Sequence, residues 1–243
     1  MIAVQHVRTA DPSSLPPAVH TVTDLHGPLV APHLQPGFIR DLQEAVLRDW
    51  LAHAREQQIL ALTSGVPAGL EQLEKTGCVV SRVDLPRSLR RTVRLPFAGA
   101  MFHQVVSLAA FEHSKDPDAF LQELRRVTRL GGHLLLSVPS LSYRESASEV
   151  RRLYRDTYGS RDSQTRLTLE RHLEQADFLL DDSIYVCCSP LSHRLFAWAL
   201  RRECRGRLYS AVSPVAYVLC SASDRIWGRP TEGHFLVVRA TAV

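Results

Sequence analysis

From Gln58 onward, short apolar runs of strand character alternate with stretches of helical period, and this alternation limits the folds open to the chain. Gln58–Leu62 is apolar, Ala68–Lys75 reads as helix, and Cys78–Val83 is apolar and β-branched. Gln104–Leu108 is apolar again, Pro117–Thr128 helical, and His133–Val138 apolar. Strands that alternate with helices pack as a sheet with helices on both faces, because each crossover helix must bury its apolar stripe against the sheet. The expected fold is α/β, a mostly parallel sheet with helices on both faces.

The flanks add to that plan. Residues 1–36 are rich in Pro and His, without a sustained period, and read as an extended arm that wraps the domain or covers a site. Residues 37–243 form the domain, opening with an amphipathic helix over Phe38–Arg55. Later segments read as helix over Ser146–Tyr158, helix over Thr168–Ala176 with Thr168 as N-cap and Arg171 at N3, and strand over Ser183–Cys188. Residues 190–232, with helices over Leu191–Leu200 and Leu208–Ser221, form an insertion or lid before a final strand Phe235–Ala240. Phe196, Trp198, Tyr209 and Tyr217 are candidates for an apolar lid over a bulky organic acceptor, and helical spacing alone makes most of them core or interface residues.

A chain of 243 residues with 45% hydrophobic and 22% charged content can bury one core without disulfides or metal. Its formal charge of +4 is carried almost wholly by arginine, since Lys75 and Lys115 are the only lysines. The arginines cluster at Arg87–Arg94, Arg151–Arg155 and Arg201–Arg207 and read as solvated helix faces, with contact to phosphates or an acidic partner as the alternative; without interleaved aromatics they do not suggest a nucleic-acid groove. Cys78, Cys187, Cys188, Cys204 and Cys220 have no metal-ligand spacing and read as reduced thiols, so no metal is expected. Cys187 and Cys188 would point to opposite faces of a strand. No signal peptide or spanning run is seen, which predicts a cytoplasmic protein without a membrane partner.

The segment LPFAGAMFHQVVSLAAFEHSKDPDAFLQELRRVTRLGGHLLLSVP, Leu95–Pro139, resembles the middle of the class I S-adenosylmethionine-dependent methyltransferases of the small-molecule type. The likeness lies in LPF, a strand beginning near Phe102, the pair Glu112-His113, Asp116-Pro117 opening a helix, and Gly131-Gly132 stopping it before a strand. TRLTLERHLEQADFLLDDSIYV is similar to the family's late helix, the turn Ala176-Asp177-Phe178 and the following strand. The resemblance implies a Rossmann-like, seven-stranded, mostly parallel sheet with a helical insertion before the last strand, S-adenosylmethionine as cofactor and a small-molecule acceptor such as a sugar or secondary metabolite.

It also implies where the cofactor would lie: Leu62, Thr63, Ser64 and Gly65 after the first strand, Asp84 and Leu85 after the next, and Leu108 and Ala109 after the third. Asp84 stands where the family's acid accepts both ribose hydroxyl hydrogens. The loop departs from the family's glycine-rich pattern, with Ala61 in place of the first acid, Thr63 of the first glycine and Pro67 of the third. His103 replaces the aspartate usual after Phe102. For proton transfer the candidates are His113, Glu112 and Tyr143, because a hydroxyl or weak amine acceptor needs a base. The departures leave two alternatives open: a non-catalytic subunit that binds a protein partner or a second copy, and a fold repurposed for a reaction without a methyl donor.

Overall fold

The central strands explain why the sheet has two buried faces. In β2 (Gln58–Thr63), Ile59 and Ala61 enter one apolar cluster and Leu60 and Leu62 the other, and all four are fully buried. Strand side chains alternate in direction, so a run with no polar residue between apolar ones marks a strand covered on both sides. The same division recurs in β5 (Thr128–Pro139), where Leu135 joins the first cluster and Leu134, Leu136 and Val138 the second. The computed structural model describes residues 20–22, 37–63, 70–84, 94–108, 110–142, 148–158, 163–201 and 207–243.

The remaining strands are β1 (His20–Val22), β3 (Val79–Asp84), β4 (Phe102–Leu108), β6 (Phe178–Val186) and β7 (Phe235–Ala242). They form a mixed sheet in the order β1-β3-β2-β4-β5-β7-β6. The ladders from β1 to β5 are parallel, whereas β7 runs antiparallel to both β5 and β6. β1 comes from the Pro/His-rich arm: His20 pairs with Ser81 and Val22 with Val83. Along the sequence no described strand falls between β3 and β4, and the outer edge of β3 is taken by β1 from the arm.

α1 (Gly37–Leu51), α2 (Glu71–Glu74), α4 (Ser148–Tyr158), α6 (Pro190–Arg201) and α7 (Arg207–Trp227) cover the first face. Phe38, Ile39, Leu42, Leu73, Tyr154, Phe196 and Ala216 carry that packing. α3 (Pro117–Val127) and α5 (Arg166–Gln175) cover the second with Phe120, Leu121, Leu124, Leu169 and Leu173. α6 and α7 lie in sequence between β6 and β7.

Several local expectations change. Gly131-Gly132 do not stop α3, which ends at Val127; Gly131 has φ 71° and the pair forms an irregularity inside β5. There the ladder to β4 skips from Phe102↔Thr128 to Gln104↔His133. A Cβ on Gly132 would lie 2.9 Å from the Arg129 carbonyl oxygen and 3.0 Å from that of His103, a close approach that only glycine accepts. The N-cap of α5 is Thr165, not Thr168: the Thr165 hydroxyl accepts from Thr168 N–H at 3.1 Å, and Thr168 Oγ1 accepts from Thr165 N–H at 2.9 Å. Cys187 and Cys188 lie beyond β6 rather than in it, with Cys187 at φ 59°. Cys78, Cys187, Cys188 and Cys220 are free thiols, and Cys204 lies outside the described residues. No described helix is long and apolar enough to cross a membrane.

Candidate functional site at the carboxyl edge of the parallel strands

Parallel strands end together, so the residues that follow them meet at one edge of the sheet. Thr63, at the end of β2, is in register with Asp84 of β3 on one side and with Leu108 of β4 on the other. Three of the residues singled out from sequence thus stand side by side on the backbone. Leu62 turns its side chain into the second cluster, and Leu108 is buried in the first. Of the other expected residues, Ser64, Gly65, Leu85, Ala109 and Tyr143 lie outside the described residues.

Directly after β4 the chain makes a short 3-10 turn, Phe111–His113, that places Glu112 and His113 at this edge, both buried. Glu112 is 1% exposed, and its Oε1 accepts from the Tyr154 hydroxyl of α4 at 3.5 Å. Its Oε2 has no hydrogen-bond partner among the described residues. Burial raises the carboxyl to about 7, against smaller lowering by its own backbone N–H and by Tyr154. The side chain is therefore poised between acid and carboxylate near neutral pH.

A second titratable pair extends the edge beyond Tyr154. Tyr154 packs on Phe235 and Phe196 with ring centroids 5.4 and 5.9 Å apart, and Phe196 meets His234 at 5.1 Å. His234 precedes β7, and its carbonyl accepts from Ser140 N–H at 2.8 Å, just beyond the end of β5. His193 Nδ1 of α6 lies 2.8 Å from His234 Nε2, so one ring donates to the other. Burial first, then the charges of His193 and Arg151, pushes His234 down to about 3. Sequence reading missed this pair because the two histidines are far apart along the chain and neither belongs to a motif.

Other residues prove structural. Phe196 and Tyr217 pack on the first cluster rather than lining a lid, while Trp198 is exposed; the side chain of Tyr209 lies outside the described residues. His103 sits at the opposite end of β4 and accepts from Gln58 N–H at 3.2 Å, tying the starts of β2 and β4 together. Ala61, where the resemblance expects an acid, is fully buried in the first cluster. The described residues contain no group of three or more His, Cys, Asp or Glu able to hold a metal.

The LPF turn and α3 are joined by one tight clamp. Glu123 Oε1 accepts from Leu95 N–H at 2.6 Å, and Arg126 donates to Glu123 Oε2 at 2.8 Å and to the Phe97 carbonyl at 2.8 Å. Phe97 then packs edge-on to Phe102 at 5.0 Å.

Residues 63–136, from the end of β2 into β5, match the family model described as a methyltransferase domain. The chain has the fold of the class I S-adenosylmethionine-dependent methyltransferases. Among solved structures it is similar to an S-adenosylmethionine-dependent methyltransferase from Mesorhizobium loti, at 14% identity and TM-score 0.55, covering 82% of this chain and 97% of that one. It is also similar to phosphoethanolamine N-methyltransferase 2 of Haemonchus contortus in complex with phosphomonomethylethanolamine and S-adenosylhomocysteine. That match has 15% identity and TM-score 0.52 and covers 83% of this chain and 52% of the other. The 4+2 cyclase SpnF matches at 14% identity and TM-score 0.51, covering 84% and 81%. No curated protein matches the chain by sequence. Open α/β sheets take their ligands beyond the carboxyl ends of their parallel strands, the edge formed here by β2, β3 and β4.

Proposed function

We propose that the chain is an S-adenosylmethionine-dependent methyltransferase acting on a small-molecule acceptor, a sugar or secondary metabolite. The observation that carries this reading is the register of Thr63 between Asp84 and Leu108. The backbone of the acid that the resemblance assigns to the ribose diol thus pairs with the last residue of β2, which supports the reading. The donor set fits the nucleoside half of the cofactor better than its amino-acid half, because Ala61 offers only a methyl group within an apolar cluster. Asp84, with the Thr63–Gly65 and Leu108-Ala109 segments, would hold the cofactor, which when bound supplies a sulfonium methyl group. A similar structure that holds phosphomonomethylethanolamine and S-adenosylhomocysteine supports a small acceptor.

The protein's own part is alignment and proton handling, since direct displacement at a sulfonium needs little else. His113 takes the proton from the acceptor. Glu112, enclosed and bonded to Tyr154, acts as a positioning residue that holds α4 against the turn after β4.

Calorimetric titration with S-adenosylmethionine and S-adenosylhomocysteine tests the reading. Binding in the micromolar range is expected, weakened about 10- to 100-fold by Asp84→Ala through loss of charge-assisted hydrogen bonds. Absence of binding at millimolar cofactor, with the protein folded, would sink it. The buried Ala61 favours one rival, a fold repurposed for a reaction without a methyl donor, and the same fold in a 4+2 cyclase supports it. A folded protein that ignores both cofactors is the outcome that rival requires.

A further inference from the structure

Glu112 keeps one carboxyl oxygen without a partner inside the protein. The residue is 1% exposed, its Oε1 accepts from the Tyr154 hydroxyl at 3.5 Å, and its Oε2 has no hydrogen-bond partner among the described residues. Buried polar atoms are nearly always paired, because an unpaired one loses its bonds to water without replacement. An orphan oxygen beside the strand ends where open α/β sheets take ligands is a place for a ligand's donor to complete.

The protein turns no cation toward this oxygen. The turn Phe111–His113 packs against β5 and α3, and Tyr154 reaches it from α4. Basic side chains on these elements and on α5 are engaged elsewhere. Arg151 donates to the Leu141 carbonyl at 3.0 Å, Arg125 to the Thr128 carbonyl at 3.2 Å and Arg126 to Glu123 at 2.8 Å, while His172 bonds Asp118 at 2.6 Å. Asp116 and Asp118 at the start of α3 carry the same sign of charge as Glu112. Burial raises the Glu112 carboxyl to about 7, and the groups that lower it are its own backbone N–H and Tyr154, neither of them a cation.

A ligand must therefore bring the positive charge. S-adenosylmethionine carries two cationic groups, a sulfonium and the ammonium of its amino-acid half, and of these only the ammonium has N–H donors. The amino-acid half is also the one that Ala61, fully buried with only a methyl group, leaves without a charged partner from β2. Glu112 follows β4, the strand whose last residue is in register with Thr63 at the end of β2. We propose that Glu112 Oε2 accepts a hydrogen bond from the ammonium of the bound cofactor, so that a carboxylate after β4 takes the place of one missing from β2. Oε1 stays with Tyr154, which fixes the carboxyl group, and the incoming ammonium favours its ionised form. The inference rests on the methyltransferase reading and adds an anchor for the amino-acid half of the cofactor.

The test is calorimetric titration of the full chain and of Glu112→Gln, near neutral pH, with S-adenosylhomocysteine and with its analogue in which hydrogen replaces the amino group. The parent is expected to favour S-adenosylhomocysteine about tenfold or more, and Glu112→Gln to lose most of that preference, since removing either partner removes the charge-assisted bond. A general disturbance of the site would instead weaken both ligands alike. The substitution keeps the shape of the side chain and an acceptor for Tyr154, and unchanged circular dichroism is required of it; the parent's choice between the two ligands needs no variant. Equal affinity of the parent for both, or a preference that survives in Glu112→Gln, would overturn the proposal and leave the methyltransferase reading standing. Weakening of S-adenosylmethionine alone by Glu112→Gln would overturn it in favour of the sulfonium. A folded parent that binds none of these ligands sinks the methyltransferase reading and the proposal with it.

Discussion

Glu112 and His234 are buried at the same edge of the sheet, and desolvation moves them in opposite directions, to about 7 and about 3. A carboxyl raised from 4.5 to about 7 favours the folded state at acid pH, and that contribution is lost as pH rises through this window. A histidine lowered from 6.5 to about 3 favours the folded state above 6.5, and that contribution is lost as pH falls toward 3. The two oppose each other where the windows overlap. Glu112→Gln keeps an acceptor for Tyr154 and removes the titration, so its melting temperature relative to the parent should climb between pH 4.5 and 7. The gain amounts to roughly 3 kcal/mol at most. Parallel melting curves of the two proteins across that range would show that Glu112 is hydrated in solution. Sequence placed Glu112 and His113 after the central strand but could not reveal that Glu112 is enclosed, because its partner Tyr154 arrives from a distant helix.

At the scale of elements, the resemblance to LPF and to the Glu/Arg-bearing helix turns out to be one device. Glu123 and Arg126 of α3 hold the backbone of Leu95 and Phe97, and the pair is partly shielded, with Glu123 at 10% and Arg126 at 32% side-chain exposure. Arg126→Ala removes donors to the Phe97 and Leu95 carbonyls and leaves Glu123 without its cation. The expected cost is about 2 kcal/mol, measured by denaturant unfolding. An unchanged midpoint would mean that the turn is held by Phe97 packing on Phe102 alone. The helices themselves were legible from their apolar spacing; their caps were less so. TRLT offers threonine at both Thr165 and Thr168, and only the backbone shows that Thr165 caps while Thr168 closes the box from N3. The Gly131-Gly132 pair likewise reads as a helix stop, yet Thr128 already pairs with Phe102, so the glycines serve the strand.

For the whole molecule, one sheet separates two apolar clusters, and β5 supplies side chains to both. Leu134→Ala and Leu135→Ala open cavities on opposite faces of that strand, each at a cost of about 3 kcal/mol. Because the faces share the strand, both variants should show coincident unfolding by far-ultraviolet circular dichroism and tryptophan fluorescence. Separated transitions would mean that the faces unfold independently. The α/β alternation, the buried character of β2 and β5, and the likeness of Leu95–Pro139 to a methyltransferase were determined by sequence alone, because side-chain period and turn chemistry are local properties. Tertiary structure decided what depends on residues distant in the chain. It set the arm strand His20–Val22 on the edge beside β3, ran β7 against its neighbours, and enclosed Glu112 with Tyr154. It also brought His193 to His234 and left Val212, Val215 and Val218 of α7 exposed. Helical period alone cannot tell which of two apolar stripes will meet the core; the packing of α6 and α1 against α7 makes that choice.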